Sequence, residues 1–110
     1  MKYFIISGEP SGDLHGSKLI KGIHKSDPKA EIAFWGGDLM KKAGGKLLTH
    51  YNELAFMGFI EVILNIFKIL NNFKKCKRDI LDFNPDKIIY IDYPGFNLRM
   101  CKWSKKRGFR

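Results

Sequence analysis

The stretch Tyr3-Phe4-Ile5-Ile6-Ser7-Gly8-Glu9-Pro10-Ser11-Gly12-Asp13 decides the fold. An apolar, β-rich run passes into a glycine-bearing turn and then into a segment with helical spacing, which is how a βαβ unit opens. The turn of such a unit lies at the carboxyl end of a parallel strand, where open α/β sheets take their ligands. Gly8 and Gly12 let the main chain pass close to a ligand, Ser11 suits the N-cap of the helix, and the amides beyond it favour an anion. Glu9 and Asp13 put two carboxylates into the same turn. They would repel a phosphate but suit work on a hydroxyl, where a carboxylate takes the proton. The glycines at Gly8, Gly12 and Gly16 match neither the dinucleotide fingerprint nor a P-loop, and no lysine follows them as phosphate chemistry would want. Taken alone, the loop also reads as a capped strand-to-helix turn with solvated acids.

Outward from this stretch, residues 2–7 form a first strand whose near-continuous apolar run suits cover on both faces. Gly16, Leu19, Ile20 and Ile23 recur at helical spacing, with Lys18, Lys21 and Lys25 opposite, in a helix ending near Asp27-Pro28. His15 and His24 fall on it, and His15 reads as a surface histidine near the loop. Glu31-Ile32-Ala33-Phe34-Trp35 is a second strand closed by Gly36-Gly37. Asp38 is expected to cap a short helix through Ala43 rather than to hold a ribose. Gly44-Gly45 ends that helix, residues 46–49 suit a short third strand, and 50–57 have no clear period.

From Phe59 the pattern changes. Ile60, Ile63, Leu64 and Phe67 form one apolar row and Val62, Ile66, Ile69 and Phe73 a second, leaving a narrow stripe of Glu61, Asn65, Lys68 and Asn72. Glu61 and Lys68 interrupt a run already short for a membrane span. Two readings stand: a helix buried between the sheet and another layer, or one whose surplus apolar face meets lipid or an acyl chain. The basic run Lys74, Lys75, Lys77, Arg78 behind it suits an anionic bilayer surface. Asn84-Pro85 stops the helix, and Lys87-Ile88-Ile89-Tyr90-Ile91 is the next strand. Asp92-Tyr93-Pro94-Gly95-Phe96-Asn97 is then a second strand-end loop, with Asn97 expected to cap the last helix. In a parallel sheet both loops open on one edge, so Glu9, Asp13 and Asp92 are expected to face one cleft, as an enzyme removing a proton from a hydroxyl requires. No metal set is apparent, because no second histidine or cysteine accompanies these acids at ligand spacing.

The 110 residues, 45% hydrophobic and 14% aromatic, are enough for one domain with its own core, residues 1–110. Twenty Lys and Arg against eleven Asp and Glu give a net charge of +9, which suits an acidic partner: nucleic acid, anionic lipid or a phosphorylated substrate. After Asp92 no acid follows, while Arg99, Lys102, Lys105, Lys106, Arg107 and Arg110 do. Met1-Lys2 leads straight into a strand without a secretory signal, so Cys76 and Cys101 read as reduced cytoplasmic thiols. The chain stops just after a glycine has closed a helix, where a new strand should begin, which reads as a cut edge. Two other functions compete. A basic nucleic-acid module would use the positive tail with Trp103 and Phe109, but no recognised binding motif supports it. A flavodoxin-like nucleotide-binding domain is the other.

Three motifs in order, covering nearly the whole chain, carry a family resemblance: Gly8-Glu9-Pro10-Ser11-Gly12-Asp13, Met57-Gly58-Phe59-Ile60-Glu61-Val62, and Pro85-Asp86 followed by Ile91-Asp92-Tyr93-Pro94-Gly95-Phe96-Asn97. The chain resembles the amino-terminal part of the lipid A disaccharide synthase family. The resemblance implies an α/β, Rossmann-like parallel sheet with helices on both faces, the incomplete acceptor-side domain of a two-domain inverting glycosyltransferase of GT-B type. It implies transfer of sugar from a UDP-linked diacylglucosamine to the 6-hydroxyl of diacylglucosamine 1-phosphate, with release of UDP. The implied setting is cytoplasmic, peripheral at the inner face of the inner membrane, with no metal or other cofactor and no nucleic acid partner. On this likeness Asp92 is the base or orients it, Glu9 and Asp13 are its partners, and Gly8, Ser11, Gly12 and Asn97 contact substrate. Met57 and Gly58 line the acyl-facing wall, Phe67, Lys74, Lys75, Lys77 and Arg78 face the membrane, and Asp86 is structural. Two positions depart from the pattern: Gly95 stands where many members carry a second acid, and Pro10 where a small residue is usual. The donor-binding second domain is absent from these residues, so the fragment alone should lack turnover.

Overall fold

The computed structural model describes residues 1–8, 10–51, 66–91 and 94–109, with 66–69 and 94–96 described through their main chain only. The elements run β1 (Lys2–Ser7), α1 (Pro10–Ser26), β2 (Glu31–Gly36), α2 (Asp38–Ala43), β3 (Lys46–His50), α3 (Ile66–Phe83), β4 (Lys87–Ile91) and α4 (Pro94–Lys106). The strands form one parallel sheet in the order β3-β2-β1-β4. The part of the apolar helix expected over 59–65 lies outside the described residues.

Strand alternation divides the core into two halves. Phe4 and Ile6 of β1 join Ala33 and Trp35 of β2 on one face, where Cys76 and Ile80 of α3 and Met100 of α4 cover them. Ile5, Ile32 and Phe34 point the other way, against Ile20 of α1 and Met40 of α2. Helices therefore cover both faces, which is why β1 and β2 read as unbroken apolar runs rather than alternating ones. On α3 the buried positions Cys76 and Ile80 lie one turn apart, while Leu70 and Leu81 remain exposed. Trp35 is fully buried and its Nε1 donates to Asp79 Oδ2 at 2.9 Å. Burial, with Asp79 adding to it, pushes the Cys76 thiol well above its ordinary range.

The amino edge of the sheet is tied by a reciprocal pair: Lys2 N–H donates to Asp86 Oδ2, and Asp86 N–H to the Lys2 carbonyl, both at 2.8 Å. Asp86 thus sits at the edge opposite the strand-end loops, in the structural place expected of it. Gly108, at φ +84°, closes α4 with Gly108 N–H on the Lys105 carbonyl and Phe109 N–H on the Ser104 carbonyl, a Schellman ending.

Three expected caps are corrected. α1 begins at Pro10, so proline takes the first helical position, where its missing N–H costs nothing, and Ser11 lies inside the first turn. Asp38 is the first residue of α2, its side chain 80% exposed, and the cap of that helix comes from elsewhere in the fold. α4 begins at Pro94, so Asn97 falls in its first turn, where Nδ2 reaches back to the Ile91 carbonyl at 3.4 Å.

Tyr90 of β4 lies on the α4 side, with its hydroxyl 2.9 Å from Ser104 Oγ. Burial pushes its phenol up to about 12, against the opposing pull of the Ser104 hydrogen bond. The folded chain then holds a proton that the unfolded chain releases at the ordinary phenol value of about 10, so stability is full below that pH and falls on the way to about 12. A phenolate-absorbance titration, taken as the difference between the protein and its Tyr90→Phe variant, should place this group near 12; a difference signal centred near the ordinary value would contradict the assignment.

Candidate active site

The chain leaves β1 for α1 on one face of the sheet and leaves β4 for α4 on the other. The gap between β1 and β4 is therefore a topological switch point, the position at which open α/β sheets hold ligands beyond the strands' carboxyl ends. Ser7 and Ile91, the last residues of the two strands, are register partners. Two helix N-termini flank the gap, each presenting main-chain amides not used within its helix.

The first motif is built around packing. A Cβ on Gly12 would run into Ser7 Oγ and lie 3.4 Å from Ile91 Cγ2, so the glycine lets α1 rest directly on both strand ends. One turn on, a Cβ on Gly16 would meet Met40 Sδ at 2.6 Å. Between them Asp13, 3% exposed, accepts three main-chain hydrogen bonds from the β2–α2 turn. Its Oδ1 takes Gly37 N–H at 2.9 Å and Met40 N–H at 3.0 Å, and Oδ2 takes Leu39 N–H at 3.1 Å. This carboxylate is the cap that α2 lacks from its own sequence. Gly37 leaves room for it, because a Cβ there would stand 2.6 Å from Asp13 Oδ2. The four-residue glycine spacing that matches no phosphate loop is thus the spacing of a helix face pressed onto a sheet and a neighbouring helix.

Of the residues singled out in the sequence, Gly8 is half-buried just beyond β1, Ser11 is exposed in the first turn of α1, and Asn97 is buried in the first turn of α4. Glu9, Met57, Gly58 and Asp92 lie outside the described residues, and Phe67 is described through its main chain only. Two features at this edge had not been singled out. Ser7 is fully buried under Gly12. His50, at the end of β3, has its Nε2 3.5 Å from Asp38 Oδ1 and its ring centroid 4.4 Å from that of Tyr51. Gly36-Gly37-Asp38 after an apolar strand was the signal that a crowded turn lay there.

A second surface lies between α3 and α4. Leu70, 49% exposed, and Phe73 floor an open groove of about 300 Å³ walled by Lys74, Lys77 and Arg99. Arg99 stands over the Phe73 ring at 5.8 Å and Lys77 over the Trp103 ring at 5.8 Å. Lys75 and Arg78, with Asn71 and Asn72, line an adjoining open surface that shares Lys74 with this groove. Among the described residues no helix is long and apolar enough to cross a membrane.

A parallel sheet of this order, covered on both faces and with a switch point between β1 and β4, defines a Rossmann-like α/β domain, compatible with the amino-terminal part of a GT-B glycosyltransferase. The comparison with known proteins narrows this. The chain belongs to the lipid-A-disaccharide synthetase family, whose model matches residues 3–110. It is 38% identical over 109 residues to a lipid-A-disaccharide synthase of Trichlorobacter lovleyi, covering 99% of this chain and 28% of that protein. It is 37% identical over 106 residues to the Coxiella burnetii protein of that name, covering 96% of this chain and 28% of the relative. The Chlamydia felis protein is 37% identical over 108 residues, 98% of this chain and 17% of its own length. The chain thus spans little more than a quarter of the first two of these relatives and about a sixth of the third.

Proposed function

We propose that this chain supplies the acceptor-side half of a glycosyltransferase that joins a UDP-linked 2,3-diacylglucosamine to 2,3-diacylglucosamine 1-phosphate. In this reaction the acceptor's 6-hydroxyl oxygen attacks the donor's anomeric carbon, the bond from that carbon to UDP breaks, and the hydroxyl proton passes to a carboxylate. Inversion follows from attack opposite the leaving group. Asp92 takes the proton or orients the group that does, with Glu9 and Asp13 as partners. Gly8, Ser11, Gly12 and Asn97 contact the sugar or its phosphate, directly or by shaping the crevice, and Met57 and Gly58 line the wall for the acyl chains. The observation that carries this reading is the pairing of Ser7 with Ile91, because the segments bearing Glu9 and Asp92 follow directly on two neighbouring strand ends. The test is turnover by the intact protein: with both lipid substrates it should form the disaccharide and UDP in equal amounts, and formation of neither product overturns the reading.

The membrane is part of the same proposal. Lys74, Lys75, Lys77 and Arg78 face an anionic inner-membrane surface, with Phe67 toward the acyl region, and the Lys74–Lys77–Arg99 groove over Leu70 and Phe73 supports this by joining cations to an apolar floor. Each basic side chain near such a surface contributes about 1 kcal/mol, so Lys74→Gln with Lys77→Gln should weaken partition of the intact protein onto anionic vesicles by about 30-fold. Neutral vesicles should show no such difference. Equal sedimentation of the variant and the parent with anionic vesicles would remove the membrane role.

A further inference from the structure

We infer that Asp13 is a positioning residue: its carboxylate clamps the β2–α2 turn to the start of α1, fixes the frame of the chain leaving β1, and takes no proton from substrate. The inference deepens the function proposed above and rests on it, although one arm of its test does not.

A general base must bring an oxygen within hydrogen-bond reach of the hydroxyl it deprotonates. Both Asp13 oxygens are instead turned inward onto amides, Oδ1 onto Gly37 and Met40, Oδ2 onto Leu39. The side chain is 3% exposed, so a substrate oxygen has no path to it without breaking these bonds. The amides it receives would otherwise be orphans at the start of a six-residue helix whose own Asp38 makes no cap and is turned instead toward His50. Capping from a different helix converts a local need into a tertiary link. That link sits beside two others on the same face of α1: Gly12 on Ser7 and Ile91, and Gly16 on Met40. Together they fix α1 against β1, β4 and α2, so that sliding or rotating the helix breaks all of them at once. β1 ends at Ser7 and α1 begins at Pro10, so the seat of α1 sets the frame of the link that carries Glu9.

An aspartate is required here rather than an asparagine because all three partners are donors. With Asp13→Asn the remaining carbonyl oxygen still serves Gly37 and Met40, while the NH2 group opposes the Leu39 N–H. In the intact protein, kcat should fall by up to about tenfold with Asp13→Asn, and with Asp13→Ala toward the ~100-fold that a misplacement of about 1 Å costs. KM should change little, and the acid limb of the pH–rate profile should stay in place. Gly37→Ala supplies a second disturbance without altering any charge, since its Cβ would press on Tyr51 Cε2 as well as on Asp13 Oδ2, and it should lower kcat in the same way. Amide hydrogen exchange is the arm that needs no substrate. Asp13→Asn should accelerate exchange at Leu39 alone, and Asp13→Ala at Gly37, Leu39 and Met40 together.

Equal losses of ~100-fold or more in Asp13→Asn and Asp13→Ala, with the acid limb abolished, would make Asp13 the base and overturn the inference. Parental kcat in both variants and in Gly37→Ala would reduce Asp13 to a structural cap. If the Asp13 variants do not fold, Gly37→Ala decides: unchanged kcat and unchanged exchange at Leu39 and Met40 sink the clamp. If the intact parent makes no disaccharide, the proposed function fails by itself, and the exchange rates still decide whether the clamp exists.

Discussion

Asp92→Asn should lower turnover of the intact protein by at least ~100-fold, the usual scale for loss of a general base, and leave its thermal unfolding unchanged. Asparagine keeps the size of aspartate and can still donate and accept hydrogen bonds, but it cannot take a proton near neutral pH. The substitution falls one residue beyond Ile91, the last residue of β4, so the pairing of β4 with β1 is left alone. Loss of rate without loss of fold is therefore the expected pattern, together with loss of the acid limb that the base gives to the pH dependence of kcat/KM. Steady-state kinetics with the lipid acceptor and the UDP-linked donor, read beside a melting curve, checks it. Gly95 sharpens the experiment, since three residues beyond Asp92 there is no side chain that could take over the proton. Full activity in Asp92→Asn would move the base to another carboxylate, and Glu9→Gln would then be the variant that loses the acid limb.

How far the sequence could be read depended on the range over which each interaction acts. β1, β2 and β4 were legible because a strand covered on both faces must be apolar along its length, and α1 because its buried face repeats every turn. The Gly108 stop of α4 was legible for the same local reason, and the structural place of Asp86 from its position just ahead of β4, although its partner Lys2 lies at the other end of the chain. Caps were not. Ser11, Asp38 and Asn97 each had the right chemistry in the right window, yet the helices began at Pro10, at Asp38 itself and at Pro94. The amides at the start of α2 are satisfied by Asp13, more than twenty residues away in sequence, which no local window contains. The glycine spacing in the first motif was visible, but its meaning was not, because Gly12 and Gly16 answer to Ser7, Ile91 and Met40, partners that only the folded sheet brings together. At the candidate site, the shared edge of the two strand-end loops followed from the rule for parallel sheets and agrees with the Ser7–Ile91 pairing. Which acids do chemistry and which hold the scaffold is a matter of burial and partners, and Asp13 illustrates how the same residue type serves either end.

The largest stability effect is expected at Trp35. Its ring is fully buried among Phe4, Ile6, Ala33, Cys76, Ile80 and Met100, and its indole N–H holds the Asp79 carboxylate of α3. Trp35→Ala removes the ring from between sheet and helix and takes from Asp79 that donor, so the cost should be about 3–5 kcal/mol. Against a typical domain stability of about 5–15 kcal/mol, that leaves the fold marginal or lost. Trp35→Phe separates the two contributions: it retains most of the apolar filling and drops the hydrogen bond, for which about 1.5–3 kcal/mol is expected because the acceptor is charged. Denaturant unfolding of the intact protein, followed by amide exchange at Phe4 and Ile6 on the neighbouring strand, reads both variants in the region that matters. The order Ala, then Phe, then parent in increasing stability follows if Trp35 joins α3 to the sheet by packing first and polarity second. If Phe proves as destabilising as Ala, the Asp79 bond outweighs the packing, and the seat of α3, with its basic groove, depends on one half-buried carboxylate more than on the apolar cluster around it.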